Sequence, residues 1–248
     1  MQNYLKEIKL LKPYIITVII VLVLSYSVYF LCGDALVKVL GQEDGFFEWL
    51  TAIFFLVASI LCFIIYRRTK NLFVLGLALL FFMGMGEEIS WGQRIIGFDT
   101  PKSLEKVNGQ GEFNIHNIEI FNDEYLNGKK KTGWERLLEI NMLFRIFSLT
   151  FCILIPLFFF HIKPRLKVNK KIQMPVAPVS VGIFFIISWC IFYSLEQYYI
   201  HIGKDPLYYL TVGEVFEFTT SFIFFLIMLY FYRDKKDGFL GRDIKQGM

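Results

Sequence analysis

The residues from Asn71 to Arg94, NLFVLGLALLFFMGMGEEISWGQR, decide how the rest of the chain is read. Sixteen residues pass without a charge, and then two glutamates, a serine, a tryptophan, a glutamine and an arginine arrive within eight positions. An ionised side chain at the bilayer centre costs at least ~2.5–3.5 kcal/mol, so charge-free runs mark where a chain crosses a membrane. A helix needs about 20 residues to span a ~30 Å hydrocarbon core. This run is too short alone, so its acids are drawn into the membrane edge.

Five further runs carry no charge: Pro13 to Gly33, Trp49 to Tyr66, Ile146 to Ile162, Ile172 to Leu195 and Phe218 to Tyr232. The last, with 15 residues, is also short and also borders acids. Six helices are therefore predicted over 13–33, 47–66, 71–90, 142–162, 176–196 and 213–232. Composition agrees, since 55% of the 248 residues are hydrophobic, 19% are charged and 28 are Phe. A soluble domain carries about 25% charged residues. The expected fold is an all-α integral membrane bundle of six transmembrane helices in one membrane domain over 1–248. Disordered chains, disulfide-stapled secreted modules and nucleic-acid-binding domains are excluded by the same numbers. Cys32, Cys62, Cys152 and Cys190 lie in apolar runs without paired spacing, which predicts core fillers.

The first run follows Lys6, Lys9 and Lys12 but is longer than a signal core and lacks a small-x-small cleavage site, which predicts a retained helix. Orientation follows from the basic residues of the short loops. With the N-terminus inside, 16 Lys and Arg fall on the inner side and nine outside, with Arg145 inside the fourth span. Both termini are then cytoplasmic in a multi-pass plasma (cytoplasmic) membrane protein. Only Glu7, Asp234, Asp237 and Asp243 fall inside, leaving 18 of the 22 acids at or beyond the outer half. The net charge of +4 thus sums a basic inner face and an acidic outer one.

Short linkers are predicted at Asp34 to Asp44, with Asp44 capping the second helix, and at Ile200 to Val212. The connection over 95–133 is long, polar and turn-rich, which reads as an extracytoplasmic lid. Thr100-Pro101 predicts a short capped helix ending before Asn108-Gly109. Thr132 and Glu135 predict a capping box at the start of the fourth helix.

Depth gives the site. A rise of 1.5 Å per residue from Asn71 puts Glu87 and Glu88 about 25 Å up, some 5 Å below the outer edge of the hydrocarbon. Counting the other helices the same way brings Glu48, Arg145 and Glu217 to that layer, with Glu214 near its edge. Such groups avoid lipid and turn to the bundle interior. If the helix continues past Glu88, then Glu87, Ser90, Trp91 and Arg94 share a face, and one glutamate pairs with Arg94.

Phosphate-cradling Gly loops, a nucleophile elbow and paired-Cys metal motifs are absent from the sequence. The remaining ingredients predict acid–base chemistry. Glu87, Glu88, Glu217, Glu48, His116, Arg94 and Arg145 are the candidate catalytic residues, the two arginines as holders of a phosphate or oxyanion. Trp91, Gln93, Asn108, Gln110 and Asn117 are candidates for substrate binding. Glu87, Glu88, Glu112, His116, Glu214 and Glu217 are candidate ligands for a divalent cation, Mg, Mn or Ca before Zn or Fe, because oxygen donors dominate. The expected function is a hydrolase or transferase acting on a membrane lipid headgroup or a lipid-linked glycan. A proton- or cation-coupled transporter is the alternative, and a non-catalytic assembly or sensor subunit the second. No nucleic-acid partner is expected.

Overall fold

The computed structural model describes residues 2–42, 44–109, 111–122, 124–159 and 175–233. In chain order its helices are α1 (Gln2–Leu31), α2 (Asp34–Gly41), α3 (Phe46–Thr69), α4 (Leu72–Glu88), α5 (Gln93–Ile96), α6 (Lys102–Glu105), α7 (Ile140–Leu157), α8 (Val179–His201) and α9 (Pro206–Arg233). Among the described residues there is no strand, only isolated bridges between Asn108 and Ile118 and between Glu124 and Lys130. Five helical segments are long and apolar enough to cross a membrane, or six if α4 and the bent turn after it form one span. The chain is thus an all-helical protein with the spans of a multi-pass membrane bundle.

α9 is the central helix. It packs on α3 and α8, and 72% of its apolar stretch is buried, against 22–39% for the other spans. Phe224 on α9 lies 5.3–6.5 Å, ring centre to ring centre, from Phe55, Phe81, Phe144, Phe147 and Phe151. Between spans the alternative to burial is lipid, not water, so close packing and interhelical hydrogen bonds carry the association. Small residues provide the packing. Gly84 of α4 lets the Phe55 ring approach, and Gly182 of α8 sits where any Cβ would run into the Cys152 carbonyl of α7. Pro156 cannot donate to that carbonyl four residues earlier, and α7 widens into a π turn over Thr150–Leu154.

Hydroxyl groups supply the hydrogen bonds. Tyr26 of α1 meets Ser188 of α8 at 2.9 Å, Ser188 meets Thr219 of α9 at 2.7 Å, and Ser59 of α3 donates to the Ala78 carbonyl of α4 at 2.8 Å. In an apolar interior each leaves no polar group unmatched.

Several local expectations are corrected. The predicted linker at Asp34 to Asp44 contains α2, whose Val37 and Gly41 are buried; Gly41 lies against Thr211 of α9. The predicted linker at Ile200 to Val212 shrinks to a few residues, because α8 runs to His201 and α9 starts at Pro206. α3 is capped by Gly45 and not Asp44. Thr100 does not cap α6; its hydroxyl bonds Gly111 and Gln93 instead. Thr132 makes no capping bond, and the chain passes through a 3-10 turn over Gly133–Leu138 before α7 begins. Cys62 and Cys152 are buried fillers as expected, but Cys190 is exposed and Cys32 is half-buried. Residues 160–162 of the fourth predicted span lie outside the described residues.

Candidate functional site

The helix that begins at Leu72 does not continue past Glu88. Ser90 and Trp91 adopt positive φ values of 44° and 52°, Gly92 follows at 85°, and the next helical stretch leaves at 66° to α4. Only Gly enters that region without cost, so two side-chain-bearing residues there must be held by their surroundings. The surroundings are visible. The Trp91 indole lies flat on Gly86, where a Cβ would come within 2.9 Å of the ring, and its Nε1 donates to Glu87 Oε1 at 2.6 Å. Ser90 is fully buried and donates to Glu112 Oε2 at 2.7 Å. The single helical face predicted for Glu87, Ser90, Trp91 and Arg94 therefore does not exist. Turn geometry brings these residues together instead.

The predicted pairing of Arg94 with Glu87 or Glu88 is also replaced. Arg94 donates from Nη1 to Asp44 at 2.8 Å and Glu48 at 2.7 Å, and from Nη2 to both oxygens of Glu112 at 3.0 Å. Three carboxylates, from the first turn of α3, the turn before it and the long loop, converge on one guanidinium. Glu48 also accepts the backbone N–H of Asp44, which itself has a left-handed φ of 61°. Arg94 Nε is buried and has no hydrogen-bond partner among the described residues.

Glu87 anchors the long loop from the other side. Its Oε2 accepts the backbone N–H groups of Ile115 at 2.6 Å and His116 at 2.8 Å, and lies 3.3 Å from His116 Nδ1. The loop closes on itself through buried asparagines. Asn108 Nδ2 donates to Asn114 Oδ1 at 2.9 Å, Asn114 Oδ1 accepts the Asn117 N–H at 3.3 Å, and Asn114 Nδ2 donates to Glu112 at 2.9 Å. Gln93 takes the Phe113 N–H at 2.6 Å and donates to Thr100 at 2.7 Å. Of the residues predicted to bind substrate, Trp91, Gln93, Asn108 and Asn117 all take part in holding the loop, and Gln110 lies outside the described residues. Asn114 and Ser90, both at the centre of this network, were not singled out as site residues. A turn-forming Asn and a small hydroxyl inside an apolar context are the only signals that mark them.

Beside this network lies a second neighbourhood. Glu88 of α4 stands within Coulombic reach of Glu217 and Glu214 of α9, of Glu48 of α3 and of Arg94. Glu217 in turn senses His116, Glu48 and Arg145. Among the described residues neither Glu88 nor Glu217 takes part in a hydrogen bond or a close ion pair. Arg145 of α7 has neither as well; its guanidinium lies 5.2 Å from the centre of the Phe192 ring of α8. A shallow recess with no room for a water molecule is lined by Asp44, Glu48, Trp49, Glu88 and Ile89, so of these groups it touches Glu88 and not Glu217 or Arg145.

The six candidate cation ligands fall into two sets. Glu112 is drawn to Arg94 and Ser90 and His116 to Glu87, while Glu88, Glu214 and Glu217 stand on the α4–α9 side. Among the described residues no three His, Cys, Asp or Glu side chains are grouped as a metal ion requires. Carboxylates engaged in charge-assisted hydrogen bonds are poor candidates for shared coordination, since each would have to exchange its donors for the metal.

Compared with protein-family models, with curated proteins and with solved structures, the chain matches none.

Proposed function

We propose that this chain is a membrane hydrolase or transferase, acting on a lipid headgroup or lipid-linked glycan through Glu88 and Glu217. The observation that carries the reading is their difference from their neighbours. Glu48, Glu87, Arg94 and Glu112 are all committed to ion pairs or hydrogen bonds, whereas Glu88 and Glu217 accept none among the described residues. Two carboxyl groups within reach of each other supply an acid and a base to one reaction centre. Glu87 and Arg94 then act as positioning residues that hold the loop over the centre. The short-loop basic residues favour cytoplasmic termini and an extracytoplasmic site in the cytoplasmic membrane.

The transporter alternative needs a polar route onward through the bundle. Seven residues beyond Glu217, about 10 Å along α9, Phe224 stands at the centre of its aromatic cluster. Dense aromatic packing at that depth disfavours a passage and favours surface chemistry at one leaflet.

The test is turnover in lipid nanodiscs containing a mixed set of phospholipids and lipid-linked saccharides, read by mass spectrometry. Glu88→Gln and Glu217→Gln are each expected to lower product formation by roughly 10²–10⁴-fold, the usual range for a general acid or base. Unchanged product in both variants sinks the reading. Proton flux that depends on Glu88, with no headgroup product from the wild type, would favour the transporter.

A further inference from the structure

We infer that the site takes a phosphorylated headgroup, with Arg145 as the residue that holds its phosphate. The inference deepens the hydrolase or transferase reading and rests on it for the role of the bound group. Arg145 is a permanent cation on a predicted membrane span, and such a charge ordinarily pairs or faces water. Among the described residues it has no ion pair and no hydrogen bond. Arg94, the other arginine of this layer, is already shared by Asp44, Glu48 and Glu112. Of the two, Arg145 alone has both terminal nitrogens clear of carboxylates among the described residues.

Its setting suits an oxyanion. The guanidinium rests over the Phe192 ring at 5.2 Å, which orients the planar fork without consuming its N–H groups. Phe192 is itself stacked on Phe216 at 5.0 Å, so the platform is rigid. Glu217 senses the charge of Arg145, yet the two do not approach to ion-pair distance. A tetrahedral phosphate between them would take two donors from Arg145 and present an ester oxygen towards Glu217. A carboxylate facing a phosphate needs a proton between them, which is what a general acid carries.

The position also indicates where the phosphate comes from. Ile146 and Tyr193, adjacent to Arg145 and Phe192 in the chain, are 45% and 58% exposed. These exposed side chains border lipid in the membrane, so a ligand held by Arg145 has hydrocarbon close beside it. A phosphate attached to acyl chains suits that position better than a free ion.

The experiment measures binding and not turnover. The wild-type protein in nanodiscs is titrated with dihexanoyl phosphatidic acid, with dihexanoylglycerol, which has the same chains without phosphate, and with inorganic phosphate. The phosphatidic acid is expected to bind at least tenfold more tightly than either, and Arg145→Gln to weaken it by roughly tenfold or more, the worth of hydrogen bonds to a charged group. Arg145→Lys, which keeps the charge but not the fork, is expected to lose roughly threefold to tenfold and serves if the Gln variant does not fold. Equal binding of dihexanoylglycerol, or phosphatidic acid binding unchanged by both Arg145 variants, overturns the inference. Inorganic phosphate binding as tightly as phosphatidic acid overturns the lipid source. Binding that needs Arg145 without any glutamate-dependent turnover would sink the enzyme reading alone, and glutamate-dependent turnover without an Arg145 effect would sink this inference alone.

Discussion

Arg94→Gln is the sharpest test of the loop network. The substitution removes one guanidinium and leaves three carboxylates, Asp44, Glu48 and Glu112, facing one another. Asp44 is 58% exposed and its pair contributes at most about 0.5 kcal/mol after screening. Glu48 and Glu112 are 11% and 24% exposed, so their pairs weigh far more. Removing one partner of a mostly buried ion pair costs about 3–5 kcal/mol, because the remaining charge is stranded. The loss falls on the docking of the loop, not on the span packing. Hydrogen exchange in nanodiscs should register it at the amides of Gly109, Phe113, Ile115, His116 and Glu119, whose acceptors lie in the loop, on Gln93 or on Glu87. At a factor of ten per 1.4 kcal/mol, exchange there is expected to quicken by roughly 10²–10⁴-fold, with the buried amides of α9 unchanged. Adding Glu112→Gln to Arg94→Gln should recover part of the protection, since one stranded charge is gone. A change below threefold at all five amides would refute the view that Arg94 holds the loop.

Other outcomes follow from the packing and the orientation. Gly182→Ala places a Cβ on the Cys152 carbonyl and is expected to cost about 1–3 kcal/mol, seen as a lower melting temperature in detergent, while Gly76→Ala, which meets nothing within 4 Å, should leave it unchanged. Tyr26→Phe keeps the ring but removes the Tyr26–Ser188 bond, leaving Ser188 on Thr219 and Thr219 on the Phe216 carbonyl, with an expected loss of about 1 kcal/mol in the same assay. In a cysteine-free background, Asn127→Cys in the loop should react with a membrane-impermeant maleimide on intact cells, and Lys70→Cys only after permeabilisation; the reverse pattern would invert the orientation.

The spans were legible because the cost of charge in hydrocarbon leaves a signal every few residues. The depth count rests on the same cost, and in the structure Glu88 of α4 lies in the electrostatic neighbourhood of Glu217 of α9. The break after Glu88 was not. A helix and a left-handed turn accept the same Ser-Trp-Gly sequence, and what decides between them is Glu112 and Glu87, far away in the chain or reached only after the turn is made. α2 escaped notice because its eight residues give too short a pattern to separate from a linker. The hydroxyl chain from Tyr26 to Thr219 had no sequence mark at all, since its members are separated by 162 and 31 positions.

The early end of α4 has a consequence for the lipid around it. Seventeen residues span about 25 Å, roughly 5 Å less than the hydrocarbon thickness of an ordinary bilayer. The membrane meets such a mismatch by thinning, at a fraction of a kcal/mol per ångström. Annular lipids beside Phe82 and Met83, both exposed on α4, would be drawn inward on that flank. On the proposed reading, a dimple of this kind would lower the headgroup plane towards Glu88, so the shape of the bilayer itself would shorten the distance a headgroup has to travel.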